Sequence, residues 1–156
     1  MITKIISGGQ TGVDRAALDF AFERGIDHGG YCPRGRLAED GKISDKYNLL
    51  ETDSERYVVR TQLNIDHSDG TLILHCGNII GGTKAAMEYT IRRKKPLFKM
   101  NLLENVKPVQ KNFNVWINTH LISTLNIAGP RESESQIYTR AMECLKVFIF
   151  PVVCDV

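Results

Sequence analysis

The 156-residue sequence lacks the signatures of several protein classes. Its four cysteines (Cys32, Cys76, Cys144 and Cys154) form no CxxC pair and have no ligand spacing with the histidines, so no zinc site is expected. The apolar tail segment 147–153 is too short to span a bilayer, and no cationic leader opens the chain. The net charge of +2 is too small for the basic face of a duplex-DNA binder. We therefore expect a cytoplasmic protein with reduced thiols that binds neither a metal, a membrane nor duplex DNA.

Two common nucleotide-binding motifs are also missing. In the stretch "SGGQTGVDRA" (7–16), Ser7 occupies the place of the first glycine of GxGxxG, and no GK[ST] of a P-loop follows. What is present is an alternation of apolar runs and helical patterns along the whole chain. We predict strands at 3–7, 28–32, 70–76, 96–100 and 123–129, helices at 13–25, 54–67, 81–95, 109–120 and 132–149, and a polar loop at 33–46.

This alternation indicates βαβ units. Strands separated by helices of about 10–15 residues predict an α/β fold with a parallel sheet. The length and the number of strands predict one domain, 1–156, with an open, mostly parallel sheet of about five or more strands between two helical layers. Ligands of such sheets bind beyond the carboxyl ends of the strands, so the residues that follow each strand are the candidates for a site.

The first candidate is the glycine-rich turn between strand 3–7 and helix 13–25. Glycine lets a ligand approach the backbone closely, and a helix N-terminus offers free N–H groups and a positive dipole end. We predict phosphate binding by this turn and the arginine after it: Gly8, Gly9, Gln10, Thr11, Gly12 and Arg15. Asp14 has capping-box spacing from Thr11, so it is either a helix cap or a ligand contact.

The second candidate follows strand 70–76. Gly81 and Gly82 precede Thr83, which we expect to cap helix 81–95 and to bind phosphate together with the two glycines. Lys84 stands in the first turn, where a cation opposes the helix dipole and often has an anionic partner. Glu88 faces either the same cleft or solvent.

The third candidate is the long charged loop after strand 28–32. We predict that its first residues, Pro33, Arg34, Gly35 and Arg36, contribute to the anion site, because arginine binds oxyanions in a bidentate manner. Glu39 and Asp40 are suited to ribose hydroxyls or a metal ion. The alternative is a solvated loop. On helix 54–67, Arg60 and Asn64 share a face that points either to the cleft or to water.

These motifs resemble a known family, the "putative molybdenum carrier" proteins. The resemblance covers about residues 5–131 and rests on "SGGQTGVDRAALDFA", "GGYCPRGRLAEDG", "RTQLNIDHSDGTLIL" and "GGT". It implies a Rossmann-like fold related to the phosphoribohydrolases often labelled "lysine decarboxylase" and to the DNA-uptake protein DprA. The hydrolases carry PGGxGTxxE where this chain has "IIGGTKAAME", and the longer spacing to Glu88 weighs against their chemistry.

The resemblance implies a nucleotide-like pocket, a role in binding molybdenum cofactor, which is a phosphorylated pterin, and a homo-oligomer. Three functions stay open at this stage. The first is a carrier that holds a phosphorylated nucleotide- or pterin-like ligand, and the absence of an obvious nucleophile–base pair favours it over an enzyme. The second is a phosphoribohydrolase-like enzyme, with Glu88, Asp14 or Asp40 as the acid or base. The third is a non-catalytic nucleotide sensor.

Overall fold

Five parallel strands form the central sheet of the computed structural model, which describes residues 1–149. Its strands are β1 (Lys4–Ile6), β2 (Asp27–Gly29), β7 (Gly70–His75), β8 (Leu97–Asn101) and β9 (Thr124–Ala128). They lie in the order β2-β1-β9-β7-β8. Two small sheets accompany it: the parallel pair β3 (Tyr31–Cys32) and β6 (Leu50–Glu51), and the antiparallel pair β4 (Leu37–Ala38) and β5 (Gly41–Lys42).

Helices cover both faces of the central sheet. They are α1 (Val13–Arg24), α2 (Tyr57–Asp66), α3 (Gly81–Arg92), α4 (Gln110–Thr119, preceded by the 3₁₀ turn Lys107–Val109), α5 (Glu132–Ser135) and α6 (Tyr138–Phe148). Helices α1, α4 and α6 pack in one core cluster, and α2 and α3 pack in another. The three-layer Rossmann-like fold expected from the sequence is therefore confirmed.

Strand β7 explains why the sheet needs two helical layers. Its apolar side chains alternate between the two cores: Leu72 and Leu74 face the α1 side, and Ile73 faces α2 and α3. All three are fully buried, which is why this strand reads as a continuous apolar run. Burial of three such side chains contributes roughly 1.5–3 kcal/mol each.

The structure differs from the predicted elements in several places. The strand predicted at 28–32 is two strands in different sheets, β2 and β3, and the partner of β3, the strand β6, was not predicted. The loop predicted at 33–46 contains the hairpin β4–β5, which was missed because two-residue strands leave no periodic pattern. The helix predicted at 132–149 is broken at Gln136, whose φ is +47°. The Glu132 carboxylate accepts hydrogen bonds from the backbone N–H groups of Ile137 and Tyr138, at 3.0 and 2.8 Å, and so caps the start of α6.

The order of the strands creates a crevice at the carboxyl end of β9. The chain leaves β1 toward α1 on one face and leaves β7 toward α3 on the other face. Strand β9 lies between β1 and β7, so the connections diverge and open a crevice at the carboxyl ends of these strands. Among the helices within residues 1–149, none has the length and apolar character needed to cross a membrane.

Candidate functional site

A cavity of about 260 Å³ opens in this crevice, between helices α2 and α3, and we call it the α2–α3 cavity. Three parts of the chain line it. They are α2 (Tyr57, Val58, Arg60, Thr61, Gln62), α3 (Gly82, Thr83, Ala85, Ala86, Glu88, Tyr89, Arg92), and the segments after β1 and β9 (Gln10, Asp14, Ala128, Gly129, Arg131, Glu134). Its position agrees with the rule that open α/β sheets bind ligands outside the carboxyl ends of their strands.

The side chain of Gln10 is held in one orientation at the floor of this cavity. Its Oε1 accepts hydrogen bonds from the backbone N–H groups of Thr11, at 3.0 Å, and Glu39, at 2.8 Å. Because the oxygen is bound by these two backbone N–H groups, the amide nitrogen Nε2 points away from them. That Nε2 is buried and has no hydrogen-bond partner in the described structure. An unpaired buried donor costs about 1–3 kcal/mol, a cost that an acceptor at this nitrogen would remove.

Arg60 carries the second buried nitrogen of this kind. Its Nη1 lies 3.4 Å from Asp14 Oδ2, while its Nε is buried without a partner among the described residues. Gly8 makes room for this guanidinium, since a Cβ atom there would lie 2.3 Å from Arg60 Nη1. In residues 1–149, the only buried unpaired side-chain nitrogens or oxygens are Gln10 Nε2 and Arg60 Nε, and both residues line the same cavity.

Asp14 is the buried carboxylate of the site, with 4% of its side chain exposed. Its Oδ2 accepts a long hydrogen bond, 3.4 Å, from the backbone N–H of Gln10. Burial raises the pKa of Asp14 above its ordinary value, and the positive charge of Arg60 opposes this shift. The capping-box alternative is wrong, because the N-cap of α1 is Gly12 and no side chain caps it. Asp14 instead binds the turn before α1 and lines the cavity.

The outer part of the cavity combines arginines with tyrosines. The guanidinium carbons of Arg60 and Arg131 lie 5.7 and 5.4 Å from the centre of the Tyr57 ring. Arg92 lies 5.3 Å from the centre of Tyr89. Cation–π contacts at these distances hold flexible arginine side chains in place, and they leave positive charge around the opening.

The family is decided by a match over nearly the whole chain. The model of the circularly permutated YpsA SLOG family, cpYpsA, matches residues 5–149. The chain belongs to the cpYpsA family. It is also similar to a solved crystal structure named "putative molybdenum carrier protein" from Syntrophus aciditrophicus SB, with 44% identity, 95% of each chain covered and a TM-score of 0.92. A comparison with curated proteins gave no match.

In this cpYpsA-family chain, the first glycine-rich turn packs against other segments. A Cβ on Gly9 would lie 2.9 Å from Ile43 and Leu49, and a Cβ on Gly12 would lie 2.4 Å from the carbonyl oxygen of Pro130. The Thr11 hydroxyl donates to Glu39 and accepts from the backbone N–H of Glu132. Of the predicted turn residues, Gln10 and Asp14 reach the α2–α3 cavity.

The arginines predicted around the phosphate have partners within the chain. Arg15 binds both carboxylate oxygens of Asp40, at 2.9 and 3.1 Å, and the carbonyl of Gly9. Arg34 is 63% exposed and lies 3.7 Å from Glu55. The guanidinium of Arg36 donates to four backbone carbonyls, those of Ile43, Ser44, Tyr47 and Leu49. Pro33 and Gly35 shape this loop: the Pro33 carbonyl accepts from Arg36 N–H, and Gly35 donates to Glu51.

The two acids of the loop bind the chain itself. Glu39 accepts from the hydroxyls of Ser133 and Thr11, which lower its pKa. The hydrogen bond from Arg15 likewise lowers the pKa of Asp40. Asn64 pairs through its amide with both backbone groups of Tyr31, at 2.7 and 3.0 Å, and so joins α2 to β3.

The second glycine-rich turn forms the start of α3. The prediction that Thr83 caps this helix is wrong, because the helix begins at Gly81 (φ +56°) with Ile80 as its N-cap. The glycine pair adopts the first helical turn itself and places buried Thr83 inside it, where its side chain lines the cavity beside Gly82. Glu88 also lines the cavity, is 59% exposed and lies 3.9 Å from Lys84.

Among the lining residues that sequence reasoning missed, four carry an aromatic ring or a positive charge: Tyr57, Tyr89, Arg92 and Arg131. Arg131 follows β9 closely, so the rule applied to the other strands would have found it. The tyrosines and Arg92 lie on helix faces, and their exposure to the cavity depends on how α2 and α3 pack. Within residues 1–149, no group of three or more His, Cys, Asp or Glu residues is arranged to hold a metal ion.

Proposed function

We propose that the chain binds a phosphorylated ring compound, of the nucleotide or pterin type, in the α2–α3 cavity. One observation carries the proposal: the two buried side-chain nitrogens without partners, Gln10 Nε2 and Arg60 Nε, belong to residues that line this one cavity. Buried donors in native proteins are almost always paired. A ligand that supplies acceptors to both is the simplest way to remove the cost of leaving them unpaired.

The N-terminal turn of α3 supports an anionic ligand, because it contributes Gly82 and Thr83 to the lining. The arginines Arg60, Arg92 and Arg131 line the cavity as well, beside the acids Asp14, Glu88 and Glu134. The free N–H groups and the positive dipole end of a helix suit a phosphate. The volume of about 260 Å³ lies just below the usual range for ligand pockets in proteins, about 300–1,000 Å³. A ligand with a single ring system therefore fits better than a dinucleotide.

The name of the similar solved structure, "putative molybdenum carrier protein", supports a carrier of molybdenum cofactor as the specific form of this proposal. In that case the cofactor is cargo. The buried donors of Gln10 and Arg60 fit the polar edge of its pterin ring, and the α3 N-terminus with Arg131 fits its phosphate. These contacts involve the organic part of the cofactor and need no protein ligand on the metal.

Calorimetric titration with GMP tests the proposal. The Gln10→Glu variant keeps the oxygen that accepts from Thr11 and Glu39 and replaces the free N–H₂ by a carboxylate oxygen. We expect binding of GMP to the native chain and a loss of at least about tenfold in affinity in this variant, because a buried acceptor left without a donor costs about 1–3 kcal/mol. Chromatography of the same mixture shows whether GMP is recovered intact or as free base.

The control is Asn114→Asp, which makes the same change of charge at an exposed position of α4, on the opposite face of the sheet. This variant should bind GMP like the native chain. Equal losses in Gln10→Glu and Asn114→Asp would mean that only net charge matters, and the cavity would not be the site. An absence of binding by GMP, IMP and neopterin phosphate alike would refute the proposed function.

A further inference from the structure

The floor of the α2–α3 cavity places buried donors beside a buried acceptor. We infer that this floor receives the lactam edge of a 6-oxopurine or pterin ring: the ring carbonyl accepts from Gln10 Nε2 and Arg60 Nε, and the neighbouring ring N–H donates to Asp14. The inference rests on the proposed function and adds which end of the ligand enters and which rings are accepted.

The side chains that carry the two unpaired donors, Gln10 and Arg60, are each held in one orientation. Gln10 cannot turn its amide over without breaking the two backbone hydrogen bonds to its Oε1. Arg60 cannot swing away freely either, because its guanidinium lies against Gly8 and its side chain is only 11% exposed. Both donors lack a partner among the described residues, and a carbonyl oxygen, which has two lone pairs, can accept from two donors.

The acceptor half comes from Asp14. This carboxylate is 4% exposed, and its contacts to Gln10 N–H and to Arg60 Nη1 are both 3.4 Å, at the long end of hydrogen-bond distances. The Ser7 hydroxyl is a further hydrogen-bond partner. A phosphate at the floor would therefore meet a buried negative charge. A neutral group that offers an N–H beside its carbonyl satisfies the carboxylate and the two donors together.

Part of the lining suits a flat ring. Five lining residues are small or apolar, namely Val58, Ala85, Ala86, Ala128 and Gly129, and the polar side chains of Thr61, Gln62 and Thr83 line the same cavity. The apolar surfaces suit the two faces of a ring. The phosphate is then directed toward the N-terminal turn of α3 and Arg131, where positive charge lies near the opening.

A pair of nucleotides tests this inference. IMP and AMP have the same ribose and phosphate, but IMP presents a carbonyl and a ring N–H where AMP presents an amino group and a bare ring nitrogen. We expect the native chain to bind IMP about 10- to 100-fold more tightly than AMP, the discrimination typical of a matched pair of hydrogen bonds. Calorimetry measures both affinities, and neopterin serves as a lactam ring that is not a purine.

The Asp14→Asn variant tests the role of Asp14 through the ratio of IMP to AMP affinities, which would not change if Asp14 only stabilised the fold. It keeps the size of the side chain and supplies an N–H₂ that can donate to the bare nitrogen of AMP. We expect the ratio of IMP to AMP affinities to fall to within about threefold. The native ratio is decisive by itself if this variant does not fold, which circular dichroism would show.

The outcomes separate the two claims. Equal binding of IMP and AMP by the native chain overturns the lactam inference and leaves the proposed function intact, because the shared ribose phosphate would then account for affinity. Binding of inorganic phosphate in competition with neopterin also overturns it, since the floor would then hold the anion. If IMP, AMP and neopterin all fail to bind, the inference falls together with the proposed function.

Discussion

At the scale of single residues, the candidate site depends on a glycine that does not touch the cavity. Gly8 has no strained backbone angle, so its value lies in the absence of a side chain. A Cβ atom there would lie 2.3–2.7 Å from three atoms of the Arg60 guanidine group. Gly8 thus determines the position of the Arg60 guanidinium, whose Nε we propose donates a hydrogen bond to the ligand.

Replacement of this glycine gives the first prediction. We expect Gly8→Ala to displace the Arg60 guanidinium and to weaken IMP binding by about tenfold, while the fold is retained. Calorimetry combined with thermal unfolding measures both effects. In a double-mutant cycle with Arg60→Lys, the two losses should not add, because both act on the same contact. Additive losses would show that Gly8 acts through some other contact.

A second residue-scale prediction concerns two tyrosines that share Asp19. The hydroxyls of Tyr47 and Tyr138 donate to the two oxygens of this carboxylate. Burial and these hydrogen bonds raise the pKa of both tyrosines above the ordinary value of 10.0. The unfolded chain therefore loses these protons first, so their contribution to stability is complete below about pH 10 and declines as the pH rises further.

The variant Tyr138→Phe tests this linkage by urea unfolding at pH 8 and pH 10.5. We expect the native chain to lose stability between the two values and the variant to lose less of it. At pH 8 the variant should be less stable by roughly 1.5–3 kcal/mol, the contribution of a hydrogen bond to a charged group. Identical pH dependence in both chains would exclude Tyr138 as a source of the effect.

At the scale of elements, the loop between β3 and β6 is fastened by Arg36. This side chain reaches four carbonyls within the loop at 2.7–3.4 Å, and its backbone has a φ of +55°. The loop in turn supplies Ile43, Tyr47 and Leu49 to a small core with Leu18 and Cys32. The arginine therefore stabilises the wall that closes over the turn carrying Gln10.

Arg36→Lys should destabilise the chain by about 2–3 kcal/mol, because one ammonium group cannot satisfy four carbonyls. The matched control is Arg34→Lys, two residues earlier. Arg34 is 63% exposed and its pair with Glu55 is a surface contact, so this change should cost no more than about 0.5 kcal/mol. Urea unfolding measures both. A larger loss in Arg34→Lys than in Arg36→Lys would contradict this assignment of roles.

At the scale of the whole molecule, the rates at which the cysteine thiols are modified distinguish local opening from global unfolding. Cys32 and Cys144 are fully buried, and burial raises the pKa of Cys144 to about 12. Cys76 is partly exposed. In a Cys154→Ser background, we expect a thiol reagent at pH 8 to modify Cys76 quickly and the other two only at the rate of global unfolding. Reaction of Cys144 at the rate of Cys76 would mean that α6 opens independently.

The fold was largely predictable because long elements carry strong local signals. The apolar run of β7 and the periodic patterns of α1 to α4 depend on neighbouring residues only, and all five strands of the central sheet were predicted. The hairpin β4–β5 and the break at Gln136 were not, since two-residue strands leave no periodic pattern and the break is accompanied by capping from the Glu132 side chain. Local sequence patterns therefore predict long strands and helices well, but they predict strands of two residues and breaks within helices poorly.

The sequence alone determined the fold class, the family motifs and the edge of the sheet at which a ligand site was expected, because these follow from periodicity and from the order of strands and helices. Only the tertiary structure decided the use of each polar side chain. It joined Arg15 to Asp40 and Arg36 to its carbonyls, and it left Gln10 and Arg60 with donors that have no partner among the described residues. The reason is physical: a donor's partner is set by distance in space, and residues such as Asp14 and Arg60 meet only when the sheet and helices have packed.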